Sequence, residues 1–234
     1  MNASRRLVIA IDGPAASGKS STAQWVAERL GIRHVDSGAL YRALTALAVA
    51  DGPRDAWTAE GVLSHAARIA VVPGERTFVP LLDGVRDDDR LRGADVTAGV
   101  SVVASMAPCR DWVNAQVRRA AEAHDVVVDG RDIGTVVFPD APLKIFLVAD
   151  PAERATRRLV QRLGRRPTEA EVAEETLRLV RRDAADATQT VQARDAILLD
   201  TTYLTQAEQV ERIVALARAL GGSAAGHEPA IDEA

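Results

Sequence analysis

One run near the start of the chain, Gly13-Pro-Ala-Ala-Ser-Gly18-Lys19-Ser20, constrains the fold more than any other feature. It follows a short, apolar, β-branched segment at 7–11. It precedes STAQWVAERLG, in which Trp25, Val26 and Leu30 recur at helical spacing until Gly31 stops the pattern. Strand, glycine loop and helix are the context in which G-x-x-x-x-G-K-[ST] works. The glycines permit a tight loop with inward N–H groups, and the helix adds its positive end. In that arrangement Gly13, Pro14, Ala15, Ala16, Ser17, Gly18, Lys19, Ser20 and Ser21 are expected to cradle a nucleoside triphosphate. Lys19 would reach the β- and γ-phosphates, and the Ser20 hydroxyl would bind Mg²⁺.

Three further apolar runs end in aspartate: VVVD at 126–129, LKIFLVAD at 143–150 and ILLD at 197–200. Helical patterns separate them at about 108–123, 151–163, 168–185 and 206–220. The alternation predicts an α/β fold, a parallel sheet flanked by helices, with the uncharged strand 7–11 at its centre. Ser37 reads as the N-cap of a helix over the following residues. Thr168 and Glu171 form a capping box. Residues 67–97 break the rhythm with ARIAVV, RTFVPLL and a Gly/Asp/Arg-rich piece, which predicts a small insertion of short antiparallel strands. Residues 158–192 are dominated by arginine and acid, either plain surface or a mobile lid over phosphates. The last segment, 221–234, has no periodicity and reads as a disordered tail.

Composition narrows the function. The net charge is −4, with 47% hydrophobic and 26% charged residues, which fits a folded chain and not a nucleic-acid binder. A lone cysteine, Cys109, and four scattered histidines offer no metal-ligand spacing and no disulfide. The apolar stretch at 7–11 is too short for a signal peptide, and no window approaches a membrane span. A soluble cytoplasmic protein with no membrane or nucleic-acid partner is expected. Of its 29 basic residues all but Lys19 and Lys144 are arginine, the residue suited to bidentate phosphate contacts. Lys144, inside an apolar strand, is expected to snorkel. No NKxD-type base-reading segment is present, so a GTPase is disfavoured and a small kinase, needing a second pocket for its acceptor, is favoured.

That pocket has a sequence signature. With the loop at Gly13 to Ser20, the runs VDSGALYRA at 35–43, LRGADV at 91–96 and DGRDIGTVVFPDAP at 129–142 resemble the bacterial cytidylate kinases, which phosphorylate CMP and dCMP. The resemblance covers about 5–220. It implies a P-loop, nucleoside monophosphate kinase-like fold, with 67–97 as the NMP-binding insertion and 158–192 as the lid. From the residues themselves, Arg42 is either a surface arginine or the holder of an acceptor phosphate. Tyr41, beside Ser37 one turn earlier, is either a core aromatic or a neighbour of the nucleoside. Asp129, at a strand's carboxyl end, either influences Mg²⁺ through water or acts as a structural cap. The resemblance adds Arg131 on the CMP phosphate and Asp132 on cytosine. Counting back from Asp132 places two more base readers at Ser101 and Arg110, with Cys109 beside Arg110 as packing.

In the lid, Arg154, Arg158 and Arg162 share a helix face, and the resemblance carries Arg158, and with it Arg154, to ATP. Spacing puts Arg182, Asp186 and Gln189 along one face of the later helix, and Arg182, Asp183 and Asp186 match an R-D-x-x-D-x-x-R pattern whose arginines and second aspartate, by the resemblance, approach the nucleotides' sugar and phosphates. Gln189 departs from its final arginine. Either Arg194 or another lid arginine supplies that charge, or acceptor use is altered. The implied catalytic set is Lys19, Arg131, Arg158 and Arg182. The implied substrate set is Ser37, Tyr41, Arg42, Ser101, Arg110, Arg131, Asp132, Arg182 and Asp186. The cofactors would be ATP and Mg²⁺, the partners small nucleotides, and the enzyme a monomer. A kinase for UMP, AMP or another small acceptor is the alternative, and a nucleotide-dependent regulatory or nucleic-acid-binding protein is the non-enzymatic one.

Overall fold

The computed structural model describes residues 6–222. Seven strands and nine helices occur among them: β1 Val8–Asp12, α1 Lys19–Leu30, β2 Arg33–Asp36, α2 Ser37–Asp51, α3 Ala59–Leu63, β3 Ile69–Pro73, β4 Phe78–Leu82, α4 Asp88–Arg92, α5 Ala94–Ser105, α6 Ala107–Ala123, β5 Val126–Asp129, β6 Leu143–Val148, α7 Pro151–Leu163, α8 Glu169–Asp186, β7 Ile197–Asp200 and α9 Gln206–Gly222. Five strands form one sheet in the order β2-β5-β1-β6-β7, all pairs parallel, with β1 at the centre. This is the α/β class that the alternating pattern predicts.

β1 and β5 are apolar up to their last residue because both faces are covered. Val8 and Ala10 of β1, with Val126 and Val128 of β5, join a core built with α2, α5 and α6. Ile9, Ile11 and Val127 point the other way, into a core with Val26 of α1 and Ile213 and Val214 of α9. Alternation at period two thus feeds two layers, and neither face tolerates a charge before the strand ends. The charges then come together: Asp12, Asp36 and Asp129 stand at the carboxyl ends of β1, β2 and β5, with Asp36 opposite Asp129 in register.

The 67–97 segment contains the expected antiparallel pair, β3 with β4, but its Gly/Asp/Arg-rich part is helical from Asp88 onward. Phe78 and Leu82 pack into the α2-side core, and a bridge from His34 to Thr77 seats the hairpin against β2. Two local expectations are corrected. Asp36, not Ser37, caps α2, accepting the Ala39 N–H at 3.1 Å; Ser37 is the first helical residue, and its hydroxyl donates instead to Asp129 O at 2.8 Å. Lys144 does not snorkel. Its ammonium donates to Pro139 O and to both Asp195 oxygens, at 2.9 and 2.7 Å, tying β6 to the segment before β7.

The Lys144 side chain is 5% exposed and that of Asp195 65%, so the two halves of this pair are unequal. Asp195→Ala strands a buried ammonium, whereas Lys144→Met leaves a carboxylate already in water. Thermal denaturation should show the larger drop in melting temperature for Asp195→Ala. An equal or reversed order would show that the ammonium reaches solvent.

No helix among the described residues is long and apolar enough to cross a membrane. α9 runs to Gly222, two residues into the stretch read as a tail, and 223–234 lie outside the described residues.

Candidate active site

The loop between β1 and α1 needs its glycines. Gly13 has φ +146°, and a Cβ there would lie 2.1 Å from Leu147 O on β6. Gly18, at φ +88°, precedes α1 without any side-chain cap, so the first N–H groups of the helix remain open to an anion. Ala16 is the exception, a non-glycine residue at φ +57°. That conformation costs an L-residue about 1–2 kcal/mol. Lys19 is buried and folds along the loop, its ammonium donating to Pro14 O at 2.6 Å and Ser17 Oγ at 3.3 Å. Burial and then the nearby Arg131 charge hold its pKa well below the ordinary lysine range.

Ser20 donates to Asp129 Oδ2 at 2.5 Å. The other oxygen, Oδ1, takes His34 Nε2 at 2.7 Å, and His34 Nδ1 faces Thr77 Oγ1 at 3.2 Å. Burial alone would raise Asp129, but His34, Ser20 and the Lys19 charge hold it below the usual carboxylate range. His34 answers in kind: burial disfavours its cation, and the Asp129 contact outweighs this and raises its pKa. With the Ser20 proton committed to Asp129, the lone pairs of the exposed hydroxyl fit a hard cation. Among the described residues no group of three or more His, Cys, Asp or Glu could hold a metal.

Asp12, which sequence reasoning passed over, organises the next segment. Its two oxygens accept the N–H groups of Ile133 at 2.8 Å and Gly134 at 2.7 Å, fixing a single π-turn at Ile133–Val137. Burial pushes its pKa up to about 6 against those two bonds. Its position just before Gly13, at a strand end, was the available signal. Gly130 opens this segment because a Cβ there would sit 2.7 Å from both Ile133 and Ser37 Oγ.

Asp132, at the start of the turn, is buried and pairs with Arg110 Nη2 from α6. Arg110 Nη1 donates to Ala104 O at 3.1 Å, and its guanidinium lies 5.9 Å from the centre of the Tyr41 ring. Tyr41 is buried with no partner for its hydroxyl, and burial pushes its pKa up to about 12, so it remains a donor. Ser101 is half-buried on α5, with no hydrogen bond joining it to this group. Cys109 is fully buried packing, and burial pushes its thiol up.

The arginines converge from three directions. Arg42 on α2 donates to Leu91 O and Thr97 Oγ1 at 3.1 and 3.0 Å. Arg131 Nε and Arg182 Nε stand 3.5 and 3.8 Å from Asp186 Oδ2. Burial lowers Arg42, and the charges of Arg158, Arg92 and Arg131 lower it further. Arg182 falls to about 10 through burial, Arg131, Arg42 and Arg158. Among the described residues three buried side-chain polar atoms lack any hydrogen bond: Tyr41 Oη, Arg131 Nε and Arg182 Nε. Buried donors are rarely left so; the two guanidinium donors face Asp186 Oδ2 beyond hydrogen-bond distance, and Tyr41 lies beside the Arg110–Asp132 pair.

The arginines of α7 and α8 divide their work. Arg158 and Arg162 reach the buried Glu175 at 3.1 and 3.6 Å, and Arg178 joins them at 3.6 Å. Arg154 shares their helix face by spacing but turns to the phosphate loop, donating to Ala15 O at 2.7 Å. Gln189 is not on the α8 face: the helix ends at Asp186, whose carbonyl accepts the Gln189 and Thr190 N–H groups. Arg194 is exposed.

A family model described as Cytidylate kinase matches residues 9–219. The cytidylate kinase of Geobacillus kaustophilus (strain HTA426) is 43% identical over 217 residues, covering 90% of this chain and 96% of its own. That of Salinibacter ruber (strain DSM 13855 / M31) is 42% identical over 228 residues, covering 92% and 99%. That of Chlorobaculum tepidum is 40% identical over 218 residues, covering 87% and 89%.

Proposed function

Because the chain belongs to the cytidylate kinase family, we propose that it is an ATP-dependent kinase that transfers the γ-phosphate of ATP to CMP or dCMP, giving ADP and CDP or dCDP. The observation that carries the acceptor reading is the buried Arg110–Asp132 pair against Tyr41. A carboxylate there accepts from the exocyclic amine of cytosine, and the guanidinium donates to O2 or N3. Uracil would turn a carbonyl toward the same carboxylate. Ser101 and Ser37 complete the acceptor wall in this reading, and Arg42 and Arg131 hold the acceptor phosphate.

The acceptor is already an ionised phosphate oxygen, so no general base is required. The residues have to align two anions in line and neutralise the charge between them. Lys19, Arg131, Arg158 and Arg182 carry that task, with Asp186 orienting Arg131 and Arg182. The loop from Gly13 to Ser21 receives the ATP phosphates. Ser20 would hold Mg²⁺, which when bound screens the phosphate oxygens. The insertion 67–97 and the lid 158–192 close the site and keep water from competing as acceptor. We take the enzyme to be a cytoplasmic monomer; gel filtration tests the oligomeric state.

Product chromatography after incubation with MgATP and CMP, dCMP, UMP, AMP, GMP or shikimate tests the reading. ADP with CDP and dCDP, and little UDP, is expected. ATP turnover without either cytidine product overturns it. Preference for another acceptor would retain the phosphate loop and overturn the roles of Arg110 and Asp132.

A further inference from the structure

Arg154 and Asp183 stand on different helices, α7 and α8, and meet on a single residue of the phosphate loop, Ala15. Asp183 Oδ1 accepts the Ala15 N–H at 3.0 Å. Arg154 Nη1 donates to the Ala15 carbonyl at 2.7 Å, and the two side chains pair at 2.7 Å. Arg154 is 4% exposed, and its Nε is anchored to Ala149 O at 3.1 Å, just before α7. The Ala15 methyl is buried with Ala155 of α7 and Leu179 of α8. Residue 15 is therefore held by its N–H, its carbonyl and its side chain, all from the same two helices.

The next residue explains why so firm a hold is needed. Ala16 turns through the left-handed region at φ +57° without being a glycine. A side-chain-bearing residue keeps such a conformation only where its surroundings over-determine it. Ala15 and Ala16 lie between Gly13 and Gly18, so any relaxation at Ala16 alters the curvature of the loop that receives phosphate.

We propose that Arg154 and Asp183 are positioning residues that clamp the peptide groups on both sides of Ala15, hold Ala16 left-handed and so keep the loop shaped for the ATP phosphates. The α7–α8 pair and the loop then move as one body, and the nucleotide senses the lid through the loop backbone. The inference rests on ATP as the donor, but it does not depend on which acceptor is used.

A double-mutant cycle tests it, read by calorimetric ADP affinity and by steady-state kinetics. Asp183→Ala should weaken ADP about tenfold, equivalent to about 1.4 kcal/mol, with KM for CMP within twofold. Asp183→Asn, which keeps an acceptor oxygen, should lie between. In an Ala16→Gly background the same Asp183→Ala change should cost less than threefold, because glycine adopts the left-handed conformation without help. Unchanged ADP affinity overturns the clamp. So does an equal loss in both backgrounds, or an equal rise in KM for CMP. If Asp183→Ala does not fold, the same comparisons are read from Asp183→Asn. A wild-type enzyme that binds ADP but does not phosphorylate CMP would overturn the acceptor reading while the clamp is still decided by ADP affinity.

Discussion

Lys19→Met should lower kcat by about 10³-fold while the protein melts no earlier than the wild type. Charge-stabilising groups aimed at a developing anion are each worth about 10²–10³ in rate, and this ammonium is the one cation inside the phosphate loop itself. Stability should follow the opposite sign. The amine is buried, its pKa is driven down by burial and by Arg131, and without ligand it faces two guanidiniums, Arg131 and Arg182. Methionine fills nearly the same volume and removes that repulsion and the cost of burying a charge, at the loss of the bonds to Pro14 O and Ser17 Oγ and of the attraction to Asp129 and Asp12. Initial-rate kinetics beside a thermal melt separate the two effects. A rate loss below tenfold would remove Lys19 from the catalytic set, and a melting temperature lower by many degrees would make its role structural.

Asp132→Asn should lower kcat/KM for CMP about 100-fold and leave UMP unchanged or improved. Hydrogen bonds to a buried charge are worth about 1.5–3 kcal/mol, and an amide in place of the carboxylate presents a donor where cytosine needs an acceptor. The substitution spares the surroundings. Arg110 keeps its bond to Ala104 O and its place against the Tyr41 ring. The reciprocal change, Arg110→Met, is the poorer probe: it leaves Asp132 buried and unpaired, a defect that costs stability regardless of substrate. Competition kinetics with mixed CMP and UMP give the ratio directly. Equal losses for both acceptors would show that Asp132 holds the turn and does not read the base.

Four of the five sheet strands were legible because each is a largely apolar run closed by an aspartate or a glycine turn, whereas β2, Arg-His-Val-Asp, has no such run. The capping box at Thr168 and Glu171 likewise marks the start of α8. The meeting of Arg110 and Asp132 could be reached by counting residues against a resemblance. Other features could not. Asp12 reaches backbone N–H groups 121 and 122 residues away, and no local pattern encodes that reach. Helical spacing put Arg154, Arg158 and Arg162 on one face but said nothing of depth, so the loop-gripping member looked like the ligand-facing ones. Asp36 and Ser37 are both good caps, and the choice between them was decided by Ser37 finding the Asp129 carbonyl. Gln189 looked like the next position on a helix that in fact ends at Asp186.

The two lysines have a chemical consequence beyond their contacts. Both are buried, Lys144 in an ion pair and Lys19 in the loop. The arginines that make up the rest of the basic surface carry no primary amine. Acylating reagents therefore find primary side-chain amines only at positions 19 and 144, and the lowered pKa of Lys19 enriches its reactive neutral form. Modification there would abolish the charge on which transfer depends. Sensitivity to acylation is thus concentrated at the donor site, where a bound nucleotide would be its shield.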